Sequence, residues 1–221
     1  MSEKLLLSLN KLFPLPLHPF NLQNSGVKTY AMWQYEKGAD TIKFYLNSSV
    51  VDDIQSMFKD KRILDIGCGE AGKTMYYGKQ GAASITGMDI VSDYKEKAEK
   101  LAVDLGLSDI FTFVSGDASK MSFPDESFDV IIMNDAMEHV ADPEGVLKEV
   151  YRVLKKGGRL YVNFPPYYHP FGAHLSDVIG IPWVHMFFGE QTLIKGYKEL
   201  VKPLPDKDMR INFRISTNEK G

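Results

Sequence analysis

Between Lys61 and Asn163 short β-branched runs alternate with amphipathic segments, and this alternation limits the possible folds more than any other feature of the sequence. Arg62–Ile66, Ser84–Asp89, Ile110–Val114, Phe128–Met133 and Arg159–Asn163 read as strands. Gly72–Gln80, Ser92–Leu105 and Pro143–Leu154 read as helices, the last with Val146, Leu147, Val150, Val153 and Leu154 at helical spacing. Strands joined by helical crossovers pair in parallel, because a tight hairpin can only join antiparallel neighbours. The expected class is therefore α/β: a mostly parallel sheet with helices on both faces, and ligands bound beyond the carboxyl ends of the strands.

The flanking segments read differently. Met1–Asn24 looks like an irregular lead-in punctuated by Pro14, Pro16 and Pro19, followed by helical stretches at Tyr30–Leu46 and Val50–Phe58. After Asn163 the alternation stops. Pro165 through Phe188 is crowded with aromatics and histidines, lacks a regular period, and precedes one further expected strand, Arg210–Ser216. With 44% hydrophobic residues in 221, the chain has enough apolar content to build a core. Its net charge of −3 gives no bulk attraction to nucleic acid or anionic membranes. The single cysteine, Cys68, excludes an intrachain disulfide, and no apolar run reaches the roughly 18 residues of a membrane span. Leu5–Leu9 resembles a signal core but is interrupted by Asn10 and Lys11, so a cytoplasmic protein is expected.

The string Gly67-Cys68-Gly69-Glu70-Ala71-Gly72-Lys73-Thr74, between a strand and a helix, fits three ligand loops. Gly67, Gly69 and Gly72 satisfy the dinucleotide pattern, and Gly67, Gly72, Lys73 and Thr74 satisfy the triphosphate pattern. Asp65 with Gly67 and Gly69 suits S-adenosylmethionine. Charge separates these readings. Asp65 and Glu70 would repel phosphate, whereas a sulfonium with an α-ammonium group gains from a nearby carboxylate. Ile131–Asp135 imitates a magnesium-binding Walker B strand, which keeps the triphosphate reading open. Asp89, some twenty residues on, can accept two ribose hydroxyls in either a dinucleotide or an S-adenosylmethionine site.

Several ordered motifs carry a resemblance over Lys61–Phe164: Ile63-Leu64-Asp65-Ile66-Gly67-Cys68-Gly69, Ile85-Thr86-Gly87-Met88-Asp89-Ile90, Val114-Ser115-Gly116-Asp117-Ala118, Phe128–Asp135 leading to Glu138-His139-Val140, and Val153–Leu160. In this order the sequence resembles the class I S-adenosylmethionine-dependent methyltransferases that act on small molecules. The resemblance implies a three-layer Rossmann-like fold lacking part of its C-terminal antiparallel hairpin, in a shortened chain or an unusually closed sheet. It implies an N-terminal irregular and helical cap (1–58), a cofactor-binding core (59–164), and an acceptor-side lid with an incomplete strand region (165–221). By the same resemblance Asp65, Gly67 and Gly69 hold the methionine end, Asp89 the ribose hydroxyls, and Ile90 packs on adenine. Asp117 accepts from the adenine amino group, the Ala118 amide donates to the ring, and Asn134 contacts the cofactor through its backbone. Ala71 departs from the pattern, where many relatives carry a further glycine.

The implied reaction is in-line methyl transfer to a small, apolar or aromatic acceptor, in which the protein chiefly aligns the acceptor and excludes water. A general base helps only a protonated acceptor. The candidates are His139 after the fourth strand and His169 and His174 in the aromatic segment, although a structural histidine is the more common reading of each. No compact metal-ligand motif is present in the sequence. The alternatives from other classes are an NAD(P)-dependent oxidoreductase and a non-catalytic cofactor-binding module.

Overall fold

The computed structural model describes residues 2–16, 18, 21, 29–48 and 53–215. The chain divides into two compact units: 28–164, and 1–27 together with 165–221. The expected 1–58 cap is thus split, its long helix grouping with the sheet.

The larger unit contains α2 (Tyr30–Ser48), α3 (Ile54–Phe58), β1 (Arg62–Ile66), α4 (Gly72–Gly78), β2 (Ser84–Asp89), α5 (Tyr94–Asp104), β3 (Phe111–Ser115), β4 (Phe128–Asn134), α6 (Pro143–Val153) and β5 (Leu154–Asn163), with α1 preceding it at Glu3–Asn10. The five strands are parallel in the order β3-β2-β1-β4-β5. Strand side chains alternate between two cores, as a sheet covered on both faces requires. Ile63, Ile85, Phe113, Val130 and Ile132 join the core that includes Met57 and Phe58 of α3, Met75 and Tyr77 of α4, and Leu101 of α5. Leu64, Ile66, Met88, Ile131 and Met133 join Val146, Val150 and Val153 of α6. The result is three layers.

Local chemistry sets the ends of these elements. Asp142 caps α6 by accepting from the Gly145 amide at 2.9 Å, Pro143 opens the helix and Arg152 sits in its last turn. β5 begins at Leu154, well before the expected Arg159, because the chain passes directly from α6 into an irregular pairing with β4 between Phe128 and Val130.

The smaller unit corrects three expectations. The lead-in contains a helix, α1, whose Ser2 side chain accepts from the Leu5 amide; Leu6 is fully buried and packs on Gly196. The aromatic segment ends in α7 (Val184–Phe187) and α8 (Glu190–Val201), where Leu193, Tyr197 and Val201 line one face of a helix and complete a core with Leu6 and Ile179. The strand expected at Arg210–Ser216 is helix α9 (Lys207–Arg214), with Ser216 outside the described residues. Alternation of apolar residues suggested a strand, but Ile211 and Ile215 are four apart, as are Arg210 and Arg214, so helical winding gathers each pair on one face. Ile211 and Ile215 pack on the core, and both arginines turn toward Asp177. Among the described residues no strand follows β5, and no helix is long and apolar enough to cross a membrane.

Ile131 is fully buried at the centre of the sheet. Ile131→Ala is expected to lower the unfolding free energy by about 2–5 kcal/mol in urea titrations. A loss smaller than about 1 kcal/mol would place the residue outside a packed core.

Candidate functional site

The carboxyl ends of β3, β2, β1 and β4 form one edge of the sheet; the chain runs outward from β1 to β3 and then crosses back to β4, which puts the switch point between β1 and β4. The turn from β1 into α4 is built on left-handed backbone. Gly67 has φ +74° and Gly69 has φ +54°, and a Cβ on Gly67 would lie 2.5 Å from the Ala136 Cβ. The Gly67 and Cys68 amides both donate to the Met88 carbonyl, at 2.8 and 3.1 Å, tying the turn to the end of β2. That tie carries Gly69 to Asp89. The Gly69 amide donates to Asp89 Oδ2 at 2.8 Å and the Val91 amide to Oδ1 at 3.0 Å, so the carboxylate is oriented while each oxygen keeps a lone pair.

The neighbouring positions follow in register. Ile90, directly after Asp89, is 74% exposed. Asp117 opens the loop after β3, where Oδ1 accepts from both the amide and the hydroxyl of Ser119 at 2.8 Å; these bonds hold its carboxyl below the usual range. Ala118 is half-buried beside it, and Asn134 ends β4. All eight residues singled out for cofactor binding therefore gather along this edge. His139 lies exposed on a short 3-10 turn, Met137–His139, following β4. His169 and His174 belong to the other unit, where both line a cavity.

The structure also joins these motif residues to one another and to two residues that no motif marked, Asn163 and Tyr45. Asp65 is buried and accepts from the Thr74 hydroxyl at 2.6 Å. Lys73 lies 3.4 Å from Asp135, whose φ of +52° departs from the usual backbone. Asp135 also accepts from the side-chain amides of Asn134 at 2.7 Å and Asn163 at 3.1 Å. The Tyr45 hydroxyl of α2 reaches this network at 2.7 Å from Asn163 Oδ1. Its pKa is raised, first by burial and then by Asp65 and Asp135. No sequence motif links Tyr45 to strand ends roughly ninety and one hundred and twenty positions away; the contact is purely tertiary.

These contacts discriminate between the three loop readings. The lysine and threonine of the triphosphate pattern face carboxylates, Lys73 toward Asp135 and Thr74 toward Asp65. Gly72, the third glycine of the dinucleotide pattern, leaves room for α2: a Cβ there would overlap the Ala31 carbonyl oxygen and lie 2.7 Å from Gln34 Cβ. A carbonyl at the first residue of α4 disfavours a diphosphate at that helix end. Along the edge Asp89, Asp117 and Asp135, with Asp65 buried in β1, favour cationic and hydroxyl-bearing groups.

Residues 64–162 match the family model described as a methyltransferase domain. Over these residues the chain is similar to the class I S-adenosylmethionine-dependent methyltransferases. S-adenosylmethionine is the cofactor of this domain. A sterol 24-C-methyltransferase of Neurospora crassa is 46% identical over 101 residues, which are 45% of this chain and 26% of that protein. A cycloartenol-C-24-methyltransferase of Oryza sativa subsp. japonica is 38% identical over 96 residues, 43% of this chain and 28% of that one. The match thus spans about a quarter of these relatives' length. Among solved structures, a methyltransferase from Methanosarcina mazei is 35% identical, covering 51% of this chain and 56% of that one, with a TM-score of 0.44. One from Aquifex aeolicus is 18% identical, covering 63% and 69%, with a TM-score of 0.47.

Within the methyltransferase domain Asp65 has the most perturbed carboxyl of the edge. Burial pushes it from 3.8 up to about 7, opposed by the Thr74 hydrogen bond and by Lys73, and aided by Asp89. Between these two values the folded protein holds a proton that the unfolded chain has released, so this group's contribution to stability falls as pH rises through about 7. Asp65→Asn is expected to stabilise the cofactor-free protein relative to wild type by a few kcal/mol at about pH 8, with little difference near pH 4. Urea titrations across that range measure it. A constant wild-type-to-variant difference would mean that Asp65 does not titrate in this window.

Proposed function

We propose that this protein transfers a methyl group from S-adenosylmethionine to a small lipophilic acceptor. The observation that carries the reading is the row of carboxylates at the carboxyl ends of adjacent strands, with the local cations Lys73 and Lys97 engaged by Asp135 and Glu70. Such an edge repels phosphates and favours a ligand bearing positive charge and ribose hydroxyls. The lipophilic acceptor is suggested by the sterol methyltransferases that the domain resembles.

When bound, the cofactor supplies an activated methyl group together with its leaving group. Asp65 and the Gly67–Gly69 turn would hold its methionine end, and the partly protonated Asp65 would ionise further as positive charge approaches. Asp89, already fixed by two amides, would accept the ribose hydroxyls. Ile90 would cover adenine, Asp117 would accept from its amino group, the Ala118 amide would donate to its ring, and Asn134 would contribute through its backbone. Residues 59–164 would thus hold the cofactor and 165–221 would serve the acceptor. His139 would receive a proton when the acceptor carries one.

Calorimetric titration tests the reading. Wild-type protein is expected to bind S-adenosylmethionine, and Asp117→Ala to weaken it about tenfold by removing one hydrogen-bond acceptor. Incubation with radiolabelled S-adenosylmethionine and sterol-like acceptors should transfer label to the acceptor, and His139→Asn should slow transfer without altering cofactor affinity. Binding of NAD(P)H with none of S-adenosylmethionine would favour the oxidoreductase reading. Cofactor binding without turnover on any acceptor would favour a non-catalytic module.

A further inference from the structure

The unit formed by 1–27 and 165–221 contains a cavity of about 230 Å³, lined by His18, Pro165, His169, Phe171, His174, Ser176 and Arg214. This is many times the volume that one water needs, ~10–15 Å³. Five of the lining side chains carry N–H or O–H groups, and none is a carboxylate. We propose that the cavity binds a phosphate group, free or as a monoester.

Hydrogen bonds already assign protons within the lining. Arg214 Nη2 lies 2.9 Å from His18 Nε2, and a guanidinium can only donate, so His18 accepts there and carries its proton on Nδ1. Burial and then Arg214 lower the His18 pKa to about 4, which agrees with a neutral ring. His169 Nδ1 accepts from the Phe171 amide at 3.2 Å, which leaves Nε2 as the proton-bearing nitrogen of the neutral ring. Both imidazoles are thus set as donors at their other nitrogen. A metal ion is disfavoured, because it would meet the Arg214 charge and find His18 Nε2 already used as an acceptor.

The surroundings hold the guanidinium in place. Asp177 is fully buried, and its Oδ2 accepts from the Tyr197 hydroxyl at 2.8 Å and from Arg210 Nη1 at 3.1 Å, while Arg210 Nε also donates to Asp206 at 3.0 Å. Arg214 Nε stands farther off, 3.9 Å from Asp177 Oδ1. Asp177 is therefore engaged most closely by Arg210 and Tyr197, and it orients Arg214 without a short ion pair. Successive turns place the two loop histidines: the His169 amide donates to the Pro166 carbonyl at 2.8 Å and the His174 amide to the Phe171 carbonyl at 3.0 Å. His174 holds a left-handed φ of +53°, a local cost of the kind often kept at ligand sites. A phosphate monoester offers three strong acceptor oxygens against the two of a carboxylate, which matches a lining with this many donors better.

The inference is independent of methyl transfer, since cofactor binding is read separately. Calorimetry on the full chain with inorganic phosphate and with phenyl phosphate is expected to give saturable binding, with acetate at least about tenfold weaker. Tighter binding of phenyl phosphate identifies an organic ester as the natural class, and equal binding identifies free phosphate. Arg214→Met should weaken phosphate about tenfold or more. Because that change also touches Asp177, exposed His169→Ala provides a second variant, expected to weaken phosphate about threefold with an unchanged Tm. Phosphate binding no tighter than acetate in wild type, or unchanged in the His169 variant, would overturn the proposal.

Discussion

The carbonyl oxygen of Met88 is the point on which the cofactor edge depends. By accepting from the amides of both Gly67 and Cys68, it holds the turn out of β1 against the end of β2. Only a residue without Cβ fits the left-handed backbone at Gly67, beside the Ala136 methyl that follows β4. Three strands therefore meet at one small contact. The same geometry carries the Gly69 amide to Asp89, so backbone hydrogen bonding and orientation of a site carboxylate are consequences of one constraint.

The helix α2 gives this edge its particular character. Its Ala31 carbonyl lies where any side chain on Gly72 would be, and its Tyr45 hydroxyl joins Asn163, Asn134 and Asp135 into one network at the ends of β4 and β5. A glycine-rich loop is commonly an anion site, because it exposes amides at a helix N-terminus. Here carboxylates surround the loop and the nearby lysines face them, so the local field has the opposite preference. This follows from the identity of a few side chains on a fold that serves many chemistries.

Much of the sheet was legible because parallel strands buried on both faces leave continuous apolar runs between helices. β1 and β2 match their expected bounds, and the others shift at their ends, where hydrogen bonding rather than apolar pattern decides. Outside 59–164 the long helix expected at Tyr30–Leu46 is found at Tyr30–Ser48, but the two terminal segments were not legible. At Arg210–Ser216 the alternating Ile211, Phe213 and Ile215 fit a strand as well as a helix, and only the core contacts of Ile211 and Ile215, with the turning of both arginines toward Asp177, selected the helix. At Glu3–Asn10 the helix depends on the burial of Leu6 against residues nearly two hundred positions away.

The sequence by itself determined the parallel α/β core and the set of residues at its carboxyl edge, since both are written in short local patterns: apolar runs, glycine turns and acidic residues at strand ends. Tertiary structure decided what those patterns could not. It settled why Gly72 is glycine, where Thr74 and Lys73 direct their polar groups, and that Tyr45 belongs to the strand-end network. It also assembled His18, His169, His174 and Arg214 around one cavity. The physical reason is distance along the chain: each of these outcomes rests on contacts between segments far apart in sequence, which no local periodicity encodes.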